Sequence, residues 1–597
     1  MSTRTTADFI VDRLRAWDVN RVYGYAGDGN NPLLGAFRRA EQAPEFISSR
    51  HEEGAAFMAV GEAKYGGGVG IVTSTQGPGA VHLLNGLYDA KLDSAPVVAL
   101  VAQQHRSVLG SGYQQEIDLQ NLFADVASPF IQSVVSPEQL PMVLDRAFRS
   151  ALANRKPAVV ILPHDVQQAE EPDLGQSHGE VVTAPRWTSG TVHPQSKDLS
   201  LAVEVLTQGT KIAFLVGQGA RQAQEEVIQL AERLGAGITT SLLGKPYVDE
   251  THPLAAGTMG HLGTPASSQV LQDCDTLVII GSNDPWTEFY PAPGQAKAVQ
   301  IDLDPAMVGN RYPVAVGLVG DTGSCIRALL ERLPEREPLP WRSTVEKMVE
   351  QGRDIARLRA EVSAKPLNPE LVVRSLSERI PNSAQVAIDV GSSVYHYVRQ
   401  LTLPTGVPAH LSSTLASMGC AVPYAIAAKE VNPQRPVVAL AGDGAIEMLG
   451  INELITVAAR WRTWSNPQLV LIVLNNRDLA EVSWEQRESE SEPRFDASQS
   501  VPHVDFAAYA EQLGLYGVTL HDDAELNQVL DEAFAVERPV VIDVHTDPDI
   551  PLLPPFPHGE QVLDSMRTGL HSEGEAGRHG LELLEEYASI EARRVHR

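Results

Sequence analysis

An α/β chain with three doubly wound parallel sheets is what this sequence predicts, and three observations carry the prediction. Short apolar, β-branched runs alternate with helix-period stretches along the chain. Continuous apolar strands separated by helices belong to parallel sheets covered on both faces. The 597 residues exceed what one core fills, and domains of about 100–200 residues give three or four units. Two segments rich in Pro and polar residues, 167–197 and 333–340, interrupt the alternation where linkers belong. They divide the chain into units at 1–185, 186–345 and 346–550, with a tail at 551–597.

The strands follow in order. In the first unit "EFISSRH" ends at Arg50-His51, and Glu52 and Glu53 open an alanine-rich helix. "GVGIVTS", "PVVALVA" and "AVVILP" are its continuous apolar strands. In the second unit "KIAFLVG", "TLVIIG" and "AVQIDL" repeat the pattern, and in the third "QVAIDV", "PVVALAG", "LVLIVLNN" and "PVVIDVHT" do so again. The tail opens with "DPDIPLLPPFPHG", whose five prolines exclude helix and strand there. It closes with "HGLELLEEYASIEARRVHR", helical in period but poor in large apolar residues.

Composition removes several classes of function. The 47 basic against 75 acidic residues give a net charge of −28, which argues against a nucleic-acid backbone as partner. Three cysteines far apart, Cys274, Cys325 and Cys420, have no metal-ligand spacing, so a reduced, cytoplasmic compartment is expected. No apolar run of about 18 residues spans a membrane. The closing helix lacks the Trp, Phe and Leu face of a membrane-lying one and is expected to be solvated or to pack on a subunit.

The chemistry concentrates at strand ends, where ligands sit in open α/β sheets. Asp443 follows "PVVALAG" inside Gly-Asp-Gly, and Asn476 ends "LVLIVLN". On neighbouring strands these side chains and a nearby carbonyl make a hard oxygen set suited to Mg²⁺, which fills its remaining positions with phosphate and water. Gly442 and Gly444 permit close backbone approach. The helix beginning near Ile446 points its amino end at the same place, where a phosphate is favoured. Taken singly, Gly-Asp-Gly is also a tight turn and Asn-Asn a helix cap. The ordered set of strand, Gly-Asp-Gly, helix with Glu453-Leu454, strand and Asn-Asn favours a metal–diphosphate site.

That set resembles the diphosphate-binding signature of thiamine diphosphate enzymes. Carried over residue by residue, the resemblance implies Asp443 and Asn476 as side-chain metal ligands and the carbonyl of Asp478 as the third. The 33 positions from Asp443 to Asn476 exceed the usual spacing, and the surplus falls in "ARWRTWSNPQ". "RHEEGAAFMAVGEA" resembles the catalytic-glutamate segment of the pyruvate oxidase and acetolactate synthase branch, which implies Glu52 as the acid meeting the aminopyrimidine ring. "LSSTLASMGCAVPYAIAA" places Met418 as the apolar wedge between the cofactor's rings, with the Ala416 carbonyl and the Met418 amide on the pyrimidine. "TSTQGPGAVHLL" supplies Gly77, Pro78 and Gly79, and Tyr25 and Ala445 complete the implied contacts.

The resemblance covers about 1–570 and is nearest to quinone-linked bacterial pyruvate oxidases. "GSGYQQEIDLQNLF", "LLGKPYV", "AGTMGHLG" and "FYPAPGQAKAVQIDLDP" carry it. It implies a middle domain that binds FAD, with Gly217, Gly219, Gly257, Met259 and Gly260 at the diphosphate and Asp302 and Asp321 toward the ribose and adenine. Leu243 stands where the oxidases have an arginine. Gln115 matches the pattern, whereas Gln114 and Glu481 stand where oxidases carry aromatics lining the active site. The function implied is decarboxylation of a 2-oxo acid, pyruvate, with ThDP and Mg²⁺ and oxidation through FAD. Glu52, Gln115 and Glu481 are the catalytic candidates. A carboligase of acetolactate synthase type or a non-oxidative decarboxylase is the alternative. A homodimer or homotetramer with active sites between subunits is implied as well.

Overall fold

The computed structural model describes residues 4–173, 175 and 181–593. Part of the expected 167–197 linker and the last four residues of the tail lie outside the described residues. Three six-stranded sheets, all parallel, form the three units. The first contains β1 (Arg21–Gly24), β2 (Glu45–Ser48), β3 (Gly70–Ser74), β4 (Val97–Gln103), β5 (Ile131–Ser133) and β6 (Pro157–Pro163). The second contains β7 (Ile212–Val216), β8 (Gly237–Thr240), β9 (Ala255–Thr258), β10 (Thr276–Ile280), β11 (Lys297–Asp302) and β12 (Val316–Val319). The third contains β13 (Gln385–Ile388), β14 (Ala409–His410), β15 (Val437–Gly442), β16 (Leu469–Asn475), β17 (Tyr516–Leu520) and β18 (Val540–His545).

The strand orders differ in a way that places the sites. The first and third sheets share one order, β2-β1-β3-β4-β6-β5 and β14-β13-β15-β16-β18-β17. The middle sheet runs β12-β11-β10-β7-β8-β9, the dinucleotide-binding order. Where the order reverses, successive connections leave in opposite directions and open a crevice beyond the carboxyl ends. That crevice falls between β1 and β3, between β10 and β7, and between β13 and β15.

The first and third units share one core. The helix Glu52–Gly66 is capped by the His51 side chain, which accepts from the Glu53 N–H, and stops at Gly67 with φ 72°. Alanine and glycine dominate it, almost every residue is buried, and it lies against the equally small-residue helix Ala421–Val431. A Cβ on Gly61 would stand 2.7 Å from Ala427 Cβ, so a side chain there cannot be accommodated without separating the helices.

The tail departs from expectation. Its helices His558–Ser572 and Arg578–Glu591 dock on the third unit of their own chain through Leu563, Met566, Leu570, Leu584 and Tyr587. Glu591 is fully buried, with Oε1 2.6 Å from Arg359 and 2.9 Å from Arg399. Few large apolar residues suffice because buried ion pairs supplement them. No helix of the described residues is long and apolar enough to cross a membrane.

Candidate active site

β15 and β16 are adjacent, with Gly442 opposite Leu474, so Asp443 and Asn476 emerge side by side on one edge. The Asp443 carboxylate is 2% exposed. It accepts from the Arg477 N–H at 2.6 Å and the Gly444 N–H at 2.9 Å. Burial pushes its carboxyl up to about 7 against those two bonds. The Asp443 carboxylate and the Asn476 amide oxygen on this edge are hard donors of the kind Mg²⁺ takes. Asn476 Oδ1 accepts from the Asp478 N–H at 2.9 Å, fixing a tight turn through Arg477 at φ 55°. The first asparagine of the pair points inward instead, and Asn475 Nδ2 donates to Asp543 at 2.9 Å. A water-sized cavity lined by Ser392, His396, Asn476, Thr546 and Asp547 opens behind this edge. His396 Nδ1 and Thr546 Oγ1 are buried there without partners.

Met418 reaches this turn. Its Cε lies 3.5 Å from the place a Gly444 Cβ would take. The preceding Ala416 has φ 57°, and Asp389 at the end of β13 anchors the segment by accepting from the Gly419 and Ala421 N–H groups at 2.7 and 2.9 Å. Ala445 is buried behind Gly444. The helix that follows Asp443 carries a π turn at Ile446–Gly450, a device concentrated at functional sites.

In the first unit the carboxyl edge of β1 and β3 gathers Tyr25, Gly77, Gly79, Gln115 and Glu52. Glu52 is buried, and its Oε2 is 3.0 Å from His82 Nδ1. A Cβ on Gly79 would lie 3.1 Å from Glu52 Oε1, and one on Gly77 2.8 Å from Gln115 Cβ. Gln115 Oε1 accepts from Gln76 Nε2 at 3.0 Å. Tyr25 is exposed at the end of β1, its carbonyl held by Asn30. His82 was not read from the sequence as a site residue, although it lies in the quoted glycine segment. Glu53 and Ser417 are joined through Asn85 Nδ2 at 2.5 and 2.6 Å, which ties the first unit to the Met418 segment. Glu453 Oε1 accepts from the Arg50 N–H at 2.9 Å, a second tie.

Glu481 stands at the start of the helix Ala480–Glu485, and its Oε2 is buried with no hydrogen-bond partner. Burial, then the charge of Glu485, pushes its carboxyl up to about 7. Across from it His261 Nε2 lies 3.3 Å from Glu488. Burial lowers the His261 pKa, but the Glu488 hydrogen bond and the charges of Glu488, Glu481 and Glu485 together outweigh it and the net shift is upward.

The middle unit differs from expectation in detail. The Gly217 and Gly219 N–H groups donate to the carbonyls of Ile280 and Gly281 at 2.9 and 3.0 Å, so these amides do not face a diphosphate. The Met259 N–H likewise donates to Thr240. Gly257 and Gly260 have φ 93° and 98°, and Trp286 covers Gly260. Asp302 accepts from the Asp304 N–H, and Asp321 caps a helix by accepting from the Ser324 N–H at 3.1 Å. A cavity of about 210 Å³ lies beside Gln218 at the carboxyl edge of β7 and β8. Arg155, Arg221 and His410 line it, and His410 Nε2 is buried without a partner. The two guanidinium groups suit an anion, while His410, kept neutral by burial, and the Asp93 carboxylate add no positive charge. Those residues come from three units, so no single stretch announced them.

Comparison with known proteins follows the same division. The profile for the thiamine pyrophosphate enzyme N-terminal TPP binding domain matches residues 4–122, that for the central domain residues 199–329, and that for the C-terminal TPP binding domain residues 389–544. The chain belongs to the thiamine diphosphate enzymes. A protein of Bacillus subtilis, YdaP, is 33% identical over 94% of this chain and 95% of its own length. The pyruvate oxidase of Lactiplantibacillus plantarum is 28% identical, covering 91% and 89%. The acetolactate synthase isozyme 2 large subunit of Escherichia coli is 30% identical, covering 94% and 99%. These relatives put the thiamine diphosphate enzyme described here in the pyruvate oxidase and acetolactate synthase branch.

Proposed function

We propose that this enzyme decarboxylates a 2-oxo acid, pyruvate, with ThDP and Mg²⁺ and passes electrons to FAD. The observation that carries the reading is the buried Asp443 carboxylate beside Asn476, with the Met418 methyl reaching over the turn between them. Asp443, Asn476 and the Asp478 carbonyl would hold Mg²⁺, and Ala416, Met418, Gly77 and Gly79 the organic cofactor. When bound, thiamine diphosphate supplies the electron sink that lets a 2-oxo acid lose CO₂. Glu52 would offer its carboxylate to a ring nitrogen of the cofactor, and His82, 3.0 Å from Oε2, holds that carboxylate in place. Met418 and the small residues beneath it exclude water. Gln115 and Glu481 face the substrate side.

Flavin at the carboxyl edge of the middle sheet is supported by its dinucleotide-type strand order and by the Arg155–Arg221–Gln218 cavity. The carboligase reading is favoured by a different observation. Gln114 and Glu481 make the site polar where an oxidase is aromatic, and acetolactate synthases are about as similar to the chain as the oxidase. A homodimer or homotetramer with shared sites is supported by exposed apolar side chains near the carboxyl edges, among them Tyr113 and Met448 at 54% and 56% exposure. A cytoplasmic location is supported by three buried free thiols.

An anaerobic absorption spectrum tests the reading. Yellow protein that bleaches on pyruvate is the expected result. Yellow protein that keeps its colour and forms acetolactate moves the enzyme to the carboligases. Protein that binds neither ThDP nor Mg²⁺ in calorimetry removes the reading altogether.

A further inference from the structure

We propose that Glu573, in the C-terminal tail, is a positioning residue for the metal-binding turn and acts through Arg494 on Asp478. The proposal rests on the Mg²⁺ reading above and adds to it a residue 95 positions beyond the last implied ligand.

The relay is continuous in hydrogen bonds. Glu573 follows the helix His558–Ser572. Its carboxylate takes Arg487 in a two-pronged pair, Nε at 2.7 Å and Nη2 at 3.1 Å, and accepts from the Arg494 N–H at 2.9 Å. The Arg494 side chain then turns the other way. Its Nε donates to Asp478 Oδ1 at 2.8 Å and its Nη2 to Ser500 Oγ at 3.0 Å. Ser500 belongs to the strip that pairs with the ligand turn, where Leu479 N–H donates to Gln499 and Val501 N–H to Arg477 at 2.8 and 3.0 Å. Arg494 thus fixes both the side chain of Asp478 and the backbone paired with it. The Asp478 carbonyl has little freedom left.

The setting makes the relay stiff. The Arg487 side chain is 1% exposed and the Asp478 side chain 2%. Charged hydrogen bonds gain strength when water is excluded. Arg487 lies in a second π turn, Gln486–Glu490, which directly follows the helix of Glu481. The tail helix rests on that turn so closely that a Cβ on Gly569 would be 3.0 Å from Arg487 Cγ. Groups that orient metal ligands from behind typically change metal affinity by about 10–100-fold when removed.

The test is Mg²⁺ titration by calorimetry at a fixed ThDP concentration, with thermal midpoints recorded in parallel. Glu573→Ala and Arg494→Ala are each expected to weaken Mg²⁺ binding by about ten-fold. The double variant should lose no more than the larger single loss, because both cut one relay. Glu573→Gln keeps an acceptor for the Arg494 N–H and should recover part of the affinity. Ser565→Ala, in the helix that Glu573 follows, removes only that helix's contact to Ser491 and should leave affinity unchanged. Mg²⁺ affinity within about two-fold of the parent in Arg494→Ala overturns the proposal, as does simple additivity in the double variant. If Glu573→Ala does not fold, Arg494→Ala and Glu573→Gln decide it. A parent that binds no Mg²⁺ sinks the reading of the site and this proposal with it, whereas a parent that binds Mg²⁺ and variants that bind it equally well sink this proposal alone.

Discussion

His82 Nδ1 stands 3.0 Å from Glu52 Oε2, and the absence of a side chain at Gly79 leaves room for that pair. His82 is half exposed while Glu52 is buried, so the imidazole stands between the acid and solvent. Glu52→Gln is expected to lower kcat by about 10²–10⁴-fold with cofactor affinity retained. His82→Asn should cost about ten-fold, by loosening the carboxylate rather than removing it. Steady-state rates beside ThDP titrations check both, and full activity in Glu52→Gln would remove Glu52 from the mechanism.

Glu481 predicts a pH effect whose sign is fixed. Its folded pKa, about 7, lies above the ordinary glutamate value of about 4.3. The folded protein therefore binds more protons between those values, and stability from this group is lost as pH rises through the window. Glu481→Gln lacks the effect. Its thermal midpoint should exceed the parent's at pH 8 and match it near pH 4.5. Ionisation above pH 7 also places a negative charge by the substrate, so kcat/KM for pyruvate should fall there in the parent and not in the variant. Parallel pH profiles for the two proteins would contradict this.

The seam between the helices Glu52–Gly66 and Ala421–Val431 predicts a packing cost. Gly61→Val forces a branched side chain against Ala427, where a single carbon already reaches 2.7 Å. Overpacking of this kind costs about 1–3 kcal/mol. Calorimetric unfolding should show an earlier transition for the shared core, and an unchanged transition would mean that the helices part without penalty.

Glu591 predicts a charge cost. It neutralises Arg359 and Arg399 in a fully buried cluster that also contains Glu370. Glu591→Ala leaves an unbalanced positive charge out of water, a change worth about 3–5 kcal/mol. The expected result is loss of protection in the tail helices by hydrogen exchange, and unaltered protection would show that apolar contacts alone hold them.

The ten continuous apolar runs all lie in strands, because a strand buried on both faces needs no partner to announce itself. The missed strands are short or polar. β5 is "IQS" and β14 two residues, and neither carries a period. That Asp443 and Asn476 sit at the ends of neighbouring strands was legible, because both follow continuous apolar runs in one unit. His82 was not, since only the turn after β3 brings it to a residue 30 positions earlier. Glu591 gave no sign, for its arginines lie 232 and 192 residues away. Gly217 and Gly219 press against the loop at Gly281, and glycine in a sequence marks two loops packed together as readily as a ligand approached closely.

Because the first and third units knit their alanine-rich helices into one interior, the backbone between them is dispensable as a tether. A protein cleaved between its first and second units would stay in one piece under native conditions, and the two fragments made separately would each expose a stripe of small apolar residues and precipitate unless supplied with the other.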